Sequence, residues 1–145
     1  MLKNKNFNIY VSEDDIVCNF TPISVHEIDN ISNGSASNIV CVLLDKIAYN
    51  EKQNFIHILL NKLTRGGKLI LKFIDFDIFK IKMYKGDIDK VSFNEMISTI
   101  DTLWTLEDLD KLVNALNGFN ILEVFPEPDK GKAFLNVTIE RFPNE

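Results

Sequence analysis

The sequence is poor in the residues that most often announce chemistry. Its 145 residues include 2 cysteines, 2 histidines, 1 tryptophan and 6 glycines. Cys18 and Cys41 stand inside apolar runs, Ile16-Val17-Cys18 and Ile39-Val40-Cys41-Val42, where a free thiol packs as a small hydrophobe. Neither is spaced from His26 or His57 as zinc ligands are, so no metal site is expected. Arginine occurs only as Arg65 and Arg141. At a net charge of −5, with both signs interspersed, the chain has no basic stripe to neutralise phosphates, which disfavours nucleic acid as a sole partner. No apolar run reaches the roughly 18 residues of a membrane span, and Met1-Leu2-Lys3-Asn4-Lys5 does not open a signal peptide. The chain is therefore read as cytoplasmic. Its abundance of Asn, Ile and Lys and scarcity of Ala fit an AT-rich genome, viral or of a host-restricted bacterium, which would place it in a host cytoplasm.

What is present reads as one globular domain over 1–145, with 46% hydrophobic and 26% charged residues and length enough for a core without staples. Phe7–Val11 and Asp15–Phe20 are β-rich runs, and Ser24 with Glu27 opens a short helix. Asn38–Leu44 is continuously apolar after its first residue, as in a strand covered on both faces. Asn50 caps a helix to about Thr64, with Phe55, Ile58, Leu59 and Leu63 on one face; His57 within it is read as a packing residue. Gly66-Gly67 is read as the helix stop before a strand over Lys68–Ile74. Two irregular helices, 75–84 and 92–101, break at Gly86. A stronger helix starts at the cap Thr105, with Asp108 its third residue, and stops at Gly118. Asn120–Phe125 and Ala133–Arg141 form a closing hairpin. Strand, helix and strand within about 35 residues make a right-handed parallel crossover, hence an α/β fold.

The run from Asn61 to Phe73, Asn-Lys-Leu-Thr-Arg-Gly-Gly-Lys-Leu-Ile-Leu-Lys-Phe, resembles the LkpGGkLii segment of class I S-adenosylmethionine-dependent methyltransferases. Leu43-Leu44-Asp45-Lys46-Ile47 stands where a subgroup of that family has vLeHi. Asp75-Phe76-Asp77 stands where it has pD, and Trp104 to Leu109, closed by Asn117-Gly118-Phe119, falls on its next helix. The likeness runs from about Phe7 to Phe142. It implies a Rossmann-like three-layer sandwich, its mostly parallel sheet ending in a C-terminal antiparallel hairpin.

The same resemblance locates what is missing. The family's first strand ends in a glycine-rich loop that cradles the cofactor, and before Gly66 this chain has only Gly34. Glu13 is the substitute for the acid that holds the ribose, Asn19 falls at the position beside the adenine, and Asp45 ends the strand before the helix. Asp75 and Asp77 occupy the carboxyl end of a parallel strand, where α/β folds bind ligands, although acids also favour the first turn of a helix. No catalytic residue is named.

A degenerate, truncated member is implied, a binding or scaffolding subunit with a protein partner or a second copy and no cofactor. The alternatives are a methyltransferase using S-adenosylmethionine once a partner chain completes it, and a nucleotide-binding module around Asn19. The family's missing strand would lie beside Asn38–Leu44. That segment is too apolar to remain an open edge, so either Phe7–Val11 or Asp15–Phe20 moves across to pair with it, the favoured expectation, or a second chain supplies the neighbour.

Overall fold

The computed structural model describes residues 6–10, 19–41, 49–98, 105–126 and 134–143. Two short strands, β1 (Asn6–Tyr10) and β2 (Thr21–Ser24), lead into a 3-10 helix, Val25–Asn30, capped by the Ser24 hydroxyl, which accepts from His26 N at 3.4 Å. Strand β3 (Ala36–Cys41), helix α1 (Tyr49–Lys62) and strand β4 (Leu63–Ile74) make the crossover unit. Helices α2 (Phe76–Tyr84), α3 (Lys90–Ser98) and α4 (Leu106–Ala115) follow, then β5 (Phe119–Pro126) and β6 (Phe134–Arg141). The strands form one sheet in the order β2-β1-β3-β4-β6-β5. β1 to β4 run parallel, and β6 pairs antiparallel with both β4 and β5. This is the expected α/β, Rossmann-like sheet with its closing hairpin.

The core follows from two periodicities. Alternate residues of the strands, among them Phe7, Ile39, Leu69, Leu71, Val137 and Ile139, point to one face and are buried there. On α1 the buried stripe is Phe55, Ile56, Leu59 and Leu60, continued by Leu63; α4 adds Leu109 and Val113 to the same cluster. Burying each such aliphatic or aromatic side chain contributes about 1.5–3 kcal/mol. The α1 stripe is thus rotated from the expected one: Ile58 is half-buried and His57 is exposed, so His57 is not a packing residue. The opposite face is mixed, with Asn8, Ile70 and Thr138 aligned across β1, β4 and β6.

Two other local readings change. β2 occupies Thr21–Ser24, whereas Asn19 and Phe20, expected to close a strand, form a turn in which Asn19 has φ 70°. Cys18 lies outside the described residues; Cys41 is buried. Gly66-Gly67 is no helix stop, because α1 ends at Lys62 and the glycines lie inside β4. The register jumps there from Ala36↔Leu63 to Asn38↔Lys68, so β4 bulges outward against β3. Gly66 has φ 76°, and a Cβ on Gly67 would lie 2.8 Å from the carbonyl oxygens of both Ala36 and Thr64. Glycine is required at this pair by the bulge.

The apolar third strand does find a neighbour within the chain. β1 lies directly beside β3 in four consecutive parallel pairs, Asn6↔Asn38 to Ile9↔Cys41. Among the described residues no helix is long and apolar enough to cross a membrane.

Candidate functional site

In an open parallel sheet the strands' carboxyl ends form a rim from which loops reach a ligand. Here Tyr10 and Ser24 are neighbours on that rim, in register across β1 and β2, with exposed His26 and Glu27 directly after Ser24. The carboxyl end of β4 brings Asp75 and Asp77. Glu13, Asp45, Lys46 and Trp104 lie outside the described residues.

Asp75 is 4% exposed, and both its oxygens are engaged. Oδ2 accepts from Ile78 N at 3.1 Å and caps α2. Oδ1 accepts from Leu106 N at 2.8 Å, the first residue of α4. One carboxylate therefore joins two helix N-termini, where the peptide dipoles favour negative charge. Thr105 completes the second end with a capping box, its hydroxyl accepting from Asp108 N while Asp108 accepts from Thr105 N. Asp77, two residues on, is exposed and pairs with Lys80 at 3.5 Å. The two acids are thus neighbours in sequence with different work, the first holding helices together and the second solvated.

Asn19 does not join them. It precedes β2 by two residues and lies at the sheet's amino-terminal rim, opposite Asp75. The residues brought to the carboxyl rim instead are Ser24, His26 and Glu27. Ser24 was legible as a helix cap, and a cap directly after a strand marks that strand's end. At the amino-terminal rim a polar cavity of about 160 Å³ is lined by Asn61, Asn117, Gly118 and Arg141, among others. Arg141 ties β6 to the start of β4, its Nη1 donating to Leu63 O at 2.7 Å.

The described residues do not supply the glycine cradle that the resemblance implies for S-adenosylmethionine. The described glycines with positive φ are Gly34, Gly66, Gly86 and Gly118, none of them following the carboxyl end of β1 or β3. Residues 11–18 and 42–48, which follow those strands, contain no glycine in sequence. The described residues include no glycine turn at this rim of the kind such a backbone cradle uses, and each oxygen of Asp75 already accepts from one amide. Among the described residues no three His, Cys, Asp or Glu side chains group to hold a metal.

No protein-family model matches the sequence, and no curated protein matches it. Solved structures do match in fold. A methyltransferase from Thermotoga maritima that depends on S-adenosylmethionine superposes with TM-score 0.64 at 10% identity, over 97% of this chain and 84% of that one. The magnesium protoporphyrin IX methyltransferase of Synechocystis PCC 6803 with bound SAH gives 0.57 at 16% identity, over 83% of this chain. The match spans about half of that enzyme, 51% of its length. The complex of the Haloferax volcanii Trm112 methyltransferase activator with a methyltransferase gives 0.58 at 12% identity, over 96% of this chain and 72% of that one. The fold is that of the class I S-adenosylmethionine-dependent methyltransferases.

Proposed function

We propose that this chain is a methyltransferase-like module that has given up methyl transfer and serves as a binding or scaffolding subunit, without a cofactor of its own. The direct pairing of β1 with β3 carries the reading. The resemblance puts the end of β1 at the family's second strand and β3 at its fourth, and on that alignment the strand bearing the glycine loop would lie between them. Here the seam is closed: Asn38 Nδ2 donates to Asn6 Oδ1 at 2.9 Å, and the fully buried Asn8 reaches Val40 O at 3.4 Å. Inserting another strand would break four ladder pairs.

The rival reading is an active transferase completed by a second chain, and the activator complex among the structural neighbours favours it. The closed seam speaks against a partner that supplies the strand and leaves open one that supplies a loop over the rim. A nucleotide-binding module around Asn19 is disfavoured by its place on the opposite rim.

Isothermal titration and thermal shift with S-adenosylmethionine test the proposal. No saturable heat and no shift are expected up to millimolar ligand. A ligand at 100 times its dissociation constant stabilises by about 2.7 kcal/mol, so a shift of several degrees would reveal micromolar binding and overturn the reading. Methyl transfer detected by mass spectrometry only with a co-purified partner would establish the rival.

A further inference from the structure

At the sheet's amino-terminal rim the apolar pattern of β6 ends in a charge. Leu135, Val137 and Ile139 are buried in the main cluster, and the two-residue period puts Arg141 on their face, the one that α1 and α4 cover. An arginine stands where the pattern would place another aliphatic residue. It is half-buried and lines the polar cavity of about 160 Å³ together with Asn61, in the last turn of α1, and Asn117, two residues past the end of α4. Gly118, Phe119 and Phe142 complete the lining. Backbone bonds fix this frame, Gly34 N donating to Asn61 O at 3.0 Å and Phe142 N to Gly118 O at 2.8 Å. The guanidinium is anchored as well, through Nη1 to Leu63 O at 2.7 Å.

We infer that this cavity binds a small organic monocarboxylate, held by Arg141 with Asn61 and Asn117. A guanidinium carries five N–H donors, and Leu63 O engages Nη1 alone. Among the described residues no carboxylate pairs with Arg141, the side-chain amides of Asn61 and Asn117 have no hydrogen-bond partner, and no acidic side chain lines the cavity. Three donor side chains thus border one space without an acceptor side chain to oppose them. A half-buried guanidinium has lost part of its hydration, and a planar carboxylate restores it with two parallel bonds to the fork. The carboxyl ends of α1 and α4 meet here and by themselves favour a cation, which accounts for a charge at position 141. They also disfavour a dianion, so a singly charged carboxylate suits the site better than phosphate. Phe119 and Phe142 offer its alkyl end an apolar wall. Drug-sized ligands occupy about 300–1,000 Å³, so this smaller space admits a short-chain acid and no nucleotide. The site lies on the rim opposite Asp75, and the inference does not rest on the loss of methyl transfer.

NMR titration of the nitrogen-labelled chain with sodium butyrate, at constant ionic strength set with sodium chloride, tests it. The side-chain amides of Asn61 and Asn117 and the Nε–H of Arg141 should shift together along one saturating curve at millimolar butyrate. Butyramide, the neutral isostere, should leave them unmoved, and inorganic phosphate should bind roughly tenfold more weakly. Arg141→Lys keeps the charge and loses the fork, so it should weaken butyrate binding by roughly tenfold. Should that variant unfold, Asn117→Asp decides, because it changes an exposed residue and sets a repelling charge on the cavity wall; a similar loss is expected with far-UV circular dichroism unchanged. An arginine that serves only to close the two helix ends predicts no shift, or a linear one shared by chloride. Either result would overturn the inference. So would an equal response to butyramide, phosphate bound as tightly as butyrate, or unaltered butyrate affinity in a folded variant.

Discussion

Replacing Asp75 with alanine should destabilise the fold by about 3 kcal/mol. Loss of the α2 cap costs about 1 kcal/mol. The Leu106 amide, satisfied at 2.8 Å by Oδ1, is left without its acceptor in a part-buried site, worth about 1–3 kcal/mol. Removing a negative charge from two helix N-termini adds a few tenths of a kcal/mol at each. Solvent screening reduces these figures little at a residue only 4% exposed. For a domain near 150 residues the sum corresponds to a fall in Tm of about 6–12 °C. Asp75→Asn keeps one acceptor oxygen and should lose about half as much. Urea denaturation should show a lower midpoint at unchanged slope, and hydrogen exchange should accelerate at the Ile78 and Leu106 amides. A carboxylate kept for ligand chemistry at the expense of stability would behave in the opposite way, its removal being neutral or stabilising. A Tm for Asp75→Ala within about 2 °C of the parent would therefore refute the double cap.

Gly67→Ala should destabilise more than Gly66→Ala, since its Cβ would meet two backbone oxygens at 2.8 Å, an overpacking cost of about 1–3 kcal/mol or more. At Gly66 only Pro143 Cβ stands near, at 3.7 Å, and the cost is the left-handed penalty of roughly 1–2 kcal/mol; melting temperatures in the reverse order would contradict the bulge. Asp89 caps α3, its Oδ1 accepting from Ser92 N at 2.7 Å. That amide first, then the Ser92 side chain, holds its carboxyl below the ordinary 3.8. A depressed folded value means the cap stabilises above the unfolded pKa and is lost as pH falls through the folded one. The carbon-13 titration of Asp89 should therefore have its midpoint under 3.8, and Asp89→Asn, which also caps, should remove this part of the acid sensitivity; a midpoint at or above the ordinary value would disprove the cap's ionic character.

Where one element's own residues were sufficient, the sequence by itself determined the outcome. The α4 capping box of Thr105 and Asp108, the 3-10 helix start at Ser24 and the β5–β6 hairpin are all local patterns and stand as read. The buried stripe of α1 was legible only in part, because Phe55, Ile56, Ile58, Leu59 and Leu60 offer two overlapping apolar faces and the sheet selects one. The place of β2 was not legible. Asp15–Phe20 is the better strand by composition and Pro22 argues against Thr21–Ser24. Proline is tolerated there because β2 is an edge strand whose free side needs no amide, and pairing with β1 sets the register. Gly66-Gly67 reads identically as a helix stop or a bulge until the Ala36 carbonyl comes within 2.8 Å of where a Cβ would be. Asp75 is the same case at the candidate site. Its role as a cap lies three residues away in sequence, but its second partner, Leu106 N, lies 31 residues away. Propensity and capping act within a turn or two of the chain, whereas register, burial and the sharing of a carboxylate between helices depend on atoms that only the folded chain brings together.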